Sequence, residues 1–324
     1  MSTALVTGGA GFIGGHLIEY LLHQNWGVRI LDDLSTGSPT NLPAEGAVDV
    51  RHGDIRSLDD CRAACAGVDY VFHMAAIASV IGSIDNPGAS NDVNITGTLN
   101  VLIAARDANV KRVVFSSSAS VYGNADVVPT TEDQLLSPQS PYATGKACGE
   151  YYCRNFAQLY GIETVVLRYF NVFGPRQNIQ SGYSAVIPAF ITAAILGKQP
   201  SIFGDGLQTR DFVYVENVAQ ANYRAAIAPE ISGRTYNVGC GEEVSLIDML
   251  DSLERASRAK ISPVFKPQRA GEVRFSRSDI ARARAELGYE PTVDLYEGLE
   301  RTYRAYAAAH GAATTSNLDR VPTI

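Results

Sequence analysis

Through the first half of the chain, short β-branched and apolar runs alternate with longer stretches whose apolar positions recur at helical spacing. The runs Ala4–Thr7, Val28–Leu31, Val48–His52, Tyr70–His73, Arg112–Ser116 and Thr164–Arg168 read as strands, each separated from the next by enough chain for a crossover. Between them Phe12–Gln24, Gly88–Asn109 and Tyr142–Tyr160 carry the helical period. This alternation predicts an α/β fold built on a doubly wound parallel sheet. After about Phe173 the rhythm shifts to Gly- and Pro-punctuated segments with isolated apolar runs, as at Pro188–Leu196 and Leu246–Ala256. The expected division is 1–172, with segments returning from the C-terminal half, a smaller mixed α/β lobe over 173–306, and a tail over 307–324 with little to pack against.

Composition narrows the classes. A net charge of −7 over 324 residues, with no Lys/Arg run, argues against nucleic acid as a partner. It leaves room for an anionic small molecule held by local arginines and helix N-termini. No apolar stretch approaches membrane-spanning length, and Met1 leads almost at once into the strand-like Thr3–Val6 without a leader pattern. A soluble, cytoplasmic protein without membrane contact is expected. The five cysteines are odd in number and lack metal-ligand spacing, so they read as reduced, mostly buried small residues, with no metal site.

Candidate chemistry begins at the first strand, which runs into Gly8-Gly9-Ala10-Gly11-Phe12-Ile13-Gly14. Glycines there permit a tight turn and let backbone N–H groups approach a pyrophosphate at a helix N-terminus. After the second strand comes Asp32, a carboxylate placed to accept the adenosine ribose hydroxyls. A carboxylate at that point repels a 2′-phosphate, and no arginine stands beside it in Leu31–Leu34, which favours NAD over NADP. Asp54 has two readings, a partner for the adenine amino group or an exposed loop carboxylate. Ala75 and Ala76 have two as well: room for a flat ring against the backbone, or plain helix–sheet packing.

Pro141-Tyr142-Ala143-Thr144-Gly145-Lys146 sets a phenol and an ammonium at i and i+4, on one face of a helix. Both Lys146 and an oxidised nicotinamide would favour the Tyr142 phenolate, which can then take a hydroxyl proton while hydride leaves the same carbon. The pair follows a strand ending in Ser116-Ser117-Ser118, a context that favours catalysis over a solvated helix face.

These glycines, the run Phe115–Gly123, the Tyr142/Lys146 pair and Leu167–Arg176 resemble the extended short-chain dehydrogenases/reductases, specifically the UDP-sugar 4-epimerases, over nearly the whole chain to about Tyr306. The resemblance implies a Rossmann-type NAD-binding domain and a substrate lobe. It implies tightly bound NAD, regenerated each cycle, and inversion at C4 of a UDP-hexose through a transient 4-keto intermediate. Ser118, Tyr142 and Lys146 would be catalytic. Gly8, Gly11, Phe12, Ile13 and Gly14 would form the near side of the cofactor shell, with Asp32, Asp33, Asp54 and Ile55 toward adenosine. Ala75, Ala76, Asn94, Ser116 and Tyr169, with Tyr142 and Lys146, would fall in the same cofactor shell, Lys146 at the nicotinamide ribose. On the substrate side the resemblance implies Ser118, Ala119 and Ser120 at the sugar, Asn171 at the pyrophosphate and Phe203 near uracil. Arg210 and Arg269 would clamp phosphates, Glu272 would lie near the uridine ribose, and Val186 and Ser276 would line the pocket.

Related dehydratases and decarboxylases place a carboxylate just after the catalytic Ser or Thr; here Ala119 and Ser120 follow Ser118, which argues for an epimerase. Ser276 stands where a bulky side chain restricts glucose-only relatives, and Arg176–Pro188 is more similar to N-acetylglucosamine epimerases than to uronic-acid ones. UDP-GlcNAc/UDP-GalNAc is therefore the expected substrate pair, alongside UDP-Glc/UDP-Gal. A UDP-glucuronate 4-epimerase, a lyase of the same family and a non-catalytic NAD-binding regulator stand as the alternatives. Relatives commonly pair as homodimers through the helices near Gly88–Asn109 and Tyr142–Tyr160.

Overall fold

The computed structural model describes residues 1–44, 46–125, 127–177, 186–268 and 273–318, with side chains through 311. Six β-rich runs form strands where the alternation places them: β1 (Thr3–Thr7), β2 (Gly27–Asp32), β3 (Asp49–His52), β4 (Tyr70–His73), β5 (Arg112–Ser118) and β6 (Glu163–Tyr169). A later strand, Arg234–Val238, joins them outside β6. The sheet order is Arg234–Val238, β6, β5, β4, β1, β2, β3, and every pairing is parallel.

Period-2 alternation divides the strand side chains between two cores. Val6, Ile30, Phe72, Val114 and Leu167 face the helices Phe12–His23 and Val215–Ile227. Leu5, Leu31, Val71, Val113, Phe115 and Val166 face Leu58–Cys65, Thr98–Asp107 and Pro141–Tyr160. Because successive connections run in opposite directions from β1, the winding reverses between β1 and β4, and a crevice opens at the carboxyl ends of those strands. The second half adds three two-stranded pairings, Asn171–Phe173 with Phe212–Tyr214, Thr209–Arg210 with Val244–Ser245, and Ser201–Phe203 with Val264–Lys266. A third core of Phe173, Phe190, Phe212, Met249 and Leu299 lies beneath them, with Phe12 and Ile13 at its margin.

Two segments differ from the sequence expectation. Gly88–Asn109 is not one regular helix: Asn86 caps Pro87–Asn91 by accepting from the Ala89 N–H at 3.0 Å, a π-helical stretch occupies Asp92–Gly97, and α-helix resumes over Thr98–Asp107. The widened turn faces the Ile77 backbone with Asn94, whose amide both accepts from its N–H at 2.9 Å and donates to its carbonyl at 3.1 Å. Beyond Ala307, where a loose tail was expected, the Leu295–Leu318 helix continues. Alanine-rich sequence has high helix propensity, and that helix is anchored upstream by buried Leu299 and Tyr306.

Candidate active site

The glycine turn leaves β1 at Gly8, whose φ of +70° is a left-handed conformation that a side chain rarely adopts. A Cβ there would lie 2.7 Å from the Ala75 backbone nitrogen, so turn and β4 end touch directly. A Cβ on Gly14 would meet the Gly8 carbonyl. Gly11 precedes the Phe12–His23 helix and brings no capping side chain to its first N–H groups, while its own N–H donates to the Gly8 carbonyl at 3.1 Å. These approaches make a backbone cradle fit for a pyrophosphate.

Asp32 ends β2 and is buried. Its oxygens accept from the Ala10 N–H at 2.9 Å and the Leu34 N–H at 2.8 Å, which fixes the carboxylate beside the turn. Asp33 is turned to Ser35, accepting from its N–H at 2.9 Å and its hydroxyl at 2.6 Å. Asp54 is held by the Arg56 guanidinium, which keeps its carboxyl below the usual range. Ile55 is buried where a Cβ on Gly97 would strike it, so its side chain packs the helix against the sheet. At the end of β4, Thr7 Oγ1 accepts from the N–H groups of both Met74 and Ala75 at 3.2 Å, and Ala75 and Ala76 follow without bulk.

The candidate reactive groups gather where β5 ends. The Ser118 hydroxyl stands beside the Tyr142 phenol and draws its pKa down, and Ser118 Oγ accepts from the Ser120 N–H at 3.2 Å. Tyr142 opens the Pro141–Tyr160 helix, whose N-terminus is set by Ser140, its Oγ accepting from the Ala143 N–H at 3.2 Å. Lys146, one turn on, is buried and donates to the Ser116 carbonyl at 2.7 Å; its Nζ is 5.9 Å from the Tyr142 ring centre. Ser116 Oγ is 3.0 Å from Tyr169 Oη, which donates to Asn222 Oδ1 at 2.9 Å. The helix, the strand end and β6 thus bring Ser116, Ser118, Tyr142, Lys146 and Tyr169 together, and Asn94 closes the helix side.

Charge at this site differs in one respect from the expectation. Burial pushes the Tyr142 phenol above its usual 10, and only the Ser118 hydrogen bond draws it down. Burial lowers the Lys146 ammonium to about 8, against opposing pulls from Cys153 and Glu150. Lys146 donates to a backbone carbonyl, and its charge is not among the causes that lower the Tyr142 phenol.

The substrate-side candidates lie mostly beyond Tyr169. The Asn171 N–H donates to the Asp211 carbonyl at 3.0 Å. Arg210 Nη1 donates to the carbonyls of Thr209 and Val273 at 2.7 and 2.8 Å. Phe203 ends the Ser201–Phe203 strand with Lys266 Nζ 5.7 Å from its ring centre, Val186 starts the Val186–Ile195 helix, and Ser276 is half-buried beside Arg277. Arg269, Glu272 and 178–185 fall outside the described residues.

Three features here carry no local sequence signal. Asn222 comes from a distant helix to hold Tyr169. Gln208 is buried with its amide nitrogen on the Phe203 carbonyl at 2.7 Å, while its Oε1 has no partner among the described residues, beside Phe203 and Arg274. Asp211 accepts from the Cys240 and Gly241 N–H groups at 2.7 and 3.0 Å and from Ser278, tying the Arg210 strand to the stretch after Ser276. A larger groove of about 560 Å³ lies at the opposite ends of β4, β5 and β6, where Lys111 and Arg112 are paired with Asp69 and Glu163, and it is remote from this chemistry. All five cysteines are free thiols, and among the described residues no group of His, Cys, Asp or Glu could hold a metal ion.

A parallel sheet with a glycine cradle at the first strand and a Ser/Tyr/Lys group at the fifth defines a dinucleotide-dependent enzyme of the short-chain dehydrogenase type. The profile of the family described as "NAD dependent epimerase/dehydratase family" matches residues 4–239, and the chain belongs to that family. It is 41% identical over 307 residues to the UDP-glucose 4-epimerase of Mycolicibacterium smegmatis, covering 92% of this chain and 96% of that one. A solved UDP-N-acetylglucosamine 4-epimerase from Methanobrevibacter ruminantium, in complex with UDP-N-acetylmuramic acid, superposes with a TM-score of 0.91 at 37% identity, over 95% of this chain and 99% of that one. The Thermus thermophilus UDP-glucose 4-epimerase, solved with NAD, gives 0.86 at 33% identity, over 95% and 99%. NAD is the cofactor, and the cradle, Asp32 and the small residues ending β4 fit it.

Proposed function

We propose that the chain interconverts the C4 epimers of a UDP-hexose, with UDP-GlcNAc/UDP-GalNAc accepted alongside UDP-Glc/UDP-Gal. The observation that carries this reading is the gathering of Ser118, Tyr142 and Lys146 where β5 ends, with Lys146 one helical turn from Tyr142, its Nζ 5.9 Å from that ring centre and bonded to the Ser116 carbonyl. Bound NAD would supply reversible hydride acceptance at the sugar carbon, and its positive ring would favour the Tyr142 phenolate. Tyr142 takes the O4 proton and returns it, while Ser118 holds O4 by hydrogen bonding. Lys146 and Asn94 would hold the nicotinamide ribose side. Gly8, Gly11, Phe12, Ile13 and Gly14 would meet the pyrophosphate, and Asp32 the adenosine ribose. Asp33, Asp54 and Ile55 border the adenine, and Ala75, Ala76, Ser116 and Tyr169 border the nicotinamide. Residues 1–172 would carry the cofactor and 173–306 most of the UDP-sugar site, with Asn171, Phe203, Arg210, Arg269 and Glu272 on the nucleotide.

Ala119 and Ser120 offer no acid for elimination or carboxyl loss, which favours epimerisation over a lyase reaction. The small Ser276, with the likeness to an N-acetylglucosamine epimerase, supports the N-acetylated substrate. We place the enzyme in the cytoplasm as a homodimer through the Pro141–Tyr160 helix, whose Tyr151 and Leu159 are exposed; sedimentation at twice the 34.7 kDa chain mass tests the pairing.

The test is incubation of the purified protein, without added NAD, with UDP-glucose, UDP-GlcNAc and UDP-glucuronate, resolving products by chromatography and mass. Epimers of unchanged mass from the first two are expected. A product lighter by water or carbon dioxide, or none at all, would overturn the reading. Tyr142→Phe should retain bound NAD and lose activity by about 10²–10⁴-fold.

A further inference from the structure

We propose that Ser117 and Glu150 are positioning residues for this reaction, forming a latch that fixes the helix carrying Tyr142 and Lys146 against the strand carrying Ser116 and Ser118. The inference rests on the epimerase reading above. Both residues are buried.

Tyr142, Lys146 and Glu150 fall at i, i+4 and i+8 of one helix and form a single stripe along it. The first two work at the end of β5; the third returns to the same strand from one turn farther along. Ser117 Oγ donates to Glu150 Oε1, and both groups are buried. Ser117 lies between Ser116, whose carbonyl receives Lys146, and Ser118, which meets Tyr142. All three contacts cross one helix–strand boundary, so a slide of the helix along β5 disturbs them together.

Apolar packing brings the helix close: the Phe115 ring of β5 lies against Gly149, where a Cβ would come 2.4 Å from it, and Cys153 and Phe156 share its core. The polar latch adds a directional contact at the residue between Ser116 and Ser118. Its acceptor is in turn fixed by Arg168, the residue directly opposite Ser117 on β6, which donates from Nε to Oε1 at 3.0 Å and from Nη2 to Oε2 at 2.6 Å. Arg168 Nη1 is anchored on Tyr122 Oη at 2.8 Å and the Glu132 carbonyl at 3.1 Å. A buried ion pair is weak evidence for stability, since well-packed apolar groups often serve as well. A carboxylate oriented by a two-pronged guanidinium and aimed at the strand between Ser116 and Ser118 points instead to placement.

The experiment compares Ser117→Ala, Ser117→Thr and Val113→Ala with wild type on whichever UDP-sugar wild type epimerises, with rates expressed per bound NAD and at a temperature where each protein is folded. Ser117→Ala deletes the donor and leaves the ion pair whole; Val113→Ala weakens the same buried face of β5 away from the site. The expected result is a kcat about 10-fold lower or more for Ser117→Ala, with KM and NAD content within about two-fold of wild type. Ser117→Thr, which keeps the hydroxyl, should restore kcat to within about three-fold, and Val113→Ala should lower Tm while leaving kcat within about two-fold. An unchanged kcat in Ser117→Ala, no recovery in Ser117→Thr, or an equal kcat loss in Val113→Ala overturns the latch. Failure of wild type to turn over any UDP-sugar removes the epimerase reading and the latch with it, and that failure is distinguishable because it appears before any variant is compared.

Discussion

Lys146 shows how function sets a residue against stability. Its ammonium is buried, meets the Ser116 carbonyl at 2.7 Å, and titrates near 8 instead of 10.5 because burial disfavours the charge. A lysine whose folded value lies below its unfolded one disfavours folding while both forms are protonated, below about pH 8, and this penalty fades as pH rises toward 10.5. Lys146→Met keeps the straight stem and removes the charge. At pH 7 it should raise the melting temperature of the nucleotide-free protein by about 2 °C or more while abolishing turnover. A lowered melting temperature in calorimetry would show that the bond to Ser116 outweighs the burial cost. At this scale the sequence brings forward the candidate reactive groups and conceals what holds them. The i,i+4 spacing of Tyr142 and Lys146 is local, so the pair is legible. Lys146 ends on a carbonyl 30 residues away, and Glu150 on a serine 33 residues away, separations that only the folded sheet closes.

Among the elements, those with a strong local period were legible, and those shaped by a neighbour were not. Tyr70–His73 is predicted to the residue, and the Pro141–Tyr160 helix to within one, because Ser140 and Gly161 bracket it with a capping hydroxyl and a left-handed stop. The π-helical stretch at Asp92–Gly97 escapes because the Ile77 backbone that Asn94 bonds belongs to another segment. His73 joins three elements in the same hidden way, with Nδ1 2.8 Å from Thr7 Oγ1 on β1 and Nε2 3.0 Å from Thr98 Oγ1 on the Thr98–Asp107 helix. Burial lowers its pKa to about 3, helped by the charge of Lys146, whereas in the unfolded chain it binds a proton near 6.5. The stability it contributes is therefore fully present above pH 6.5 and is lost as pH falls toward 3. Urea unfolding across that window should show a loss approaching about 1.4 kcal/mol per pH unit from this proton, and His73→Phe should flatten the curve by that amount. An unaltered slope would mean that other groups govern the acid response.

For the whole molecule, the sequence changes rhythm near Phe173 and implies that segments of the C-terminal half return to the first unit, without saying which. The outer edge of β6 is closed by Arg234–Val238, whose pairings, such as Leu167 with Tyr236, span too many residues to leave a trace in local pattern. The helix Val215–Ile227 lays Val218, Ala221 and Ala225 over one face of the sheet, and Asn222 from it holds Tyr169. Arg112, buried at the start of β5, donates from Nη1 to the carbonyls of Ala225, Ala226 and Ala228 at 2.8, 3.0 and 2.7 Å. A chain cut at residue 172 loses all of these at once. It leaves β6 as a long apolar edge, a buried arginine without its carbonyl acceptors, and an uncovered sheet face. Residues 1–172 expressed alone should therefore lack a cooperative melting transition and bind a hydrophobic dye, although the glycine cradle and Tyr142/Lys146 are all present in them. The full chain should melt as one unit, because the core beneath the second half also receives Phe12 and Ile13 from the cofactor turn. A fragment 1–172 with a sharp calorimetric transition and measurable NAD affinity would show that the cofactor half is self-sufficient.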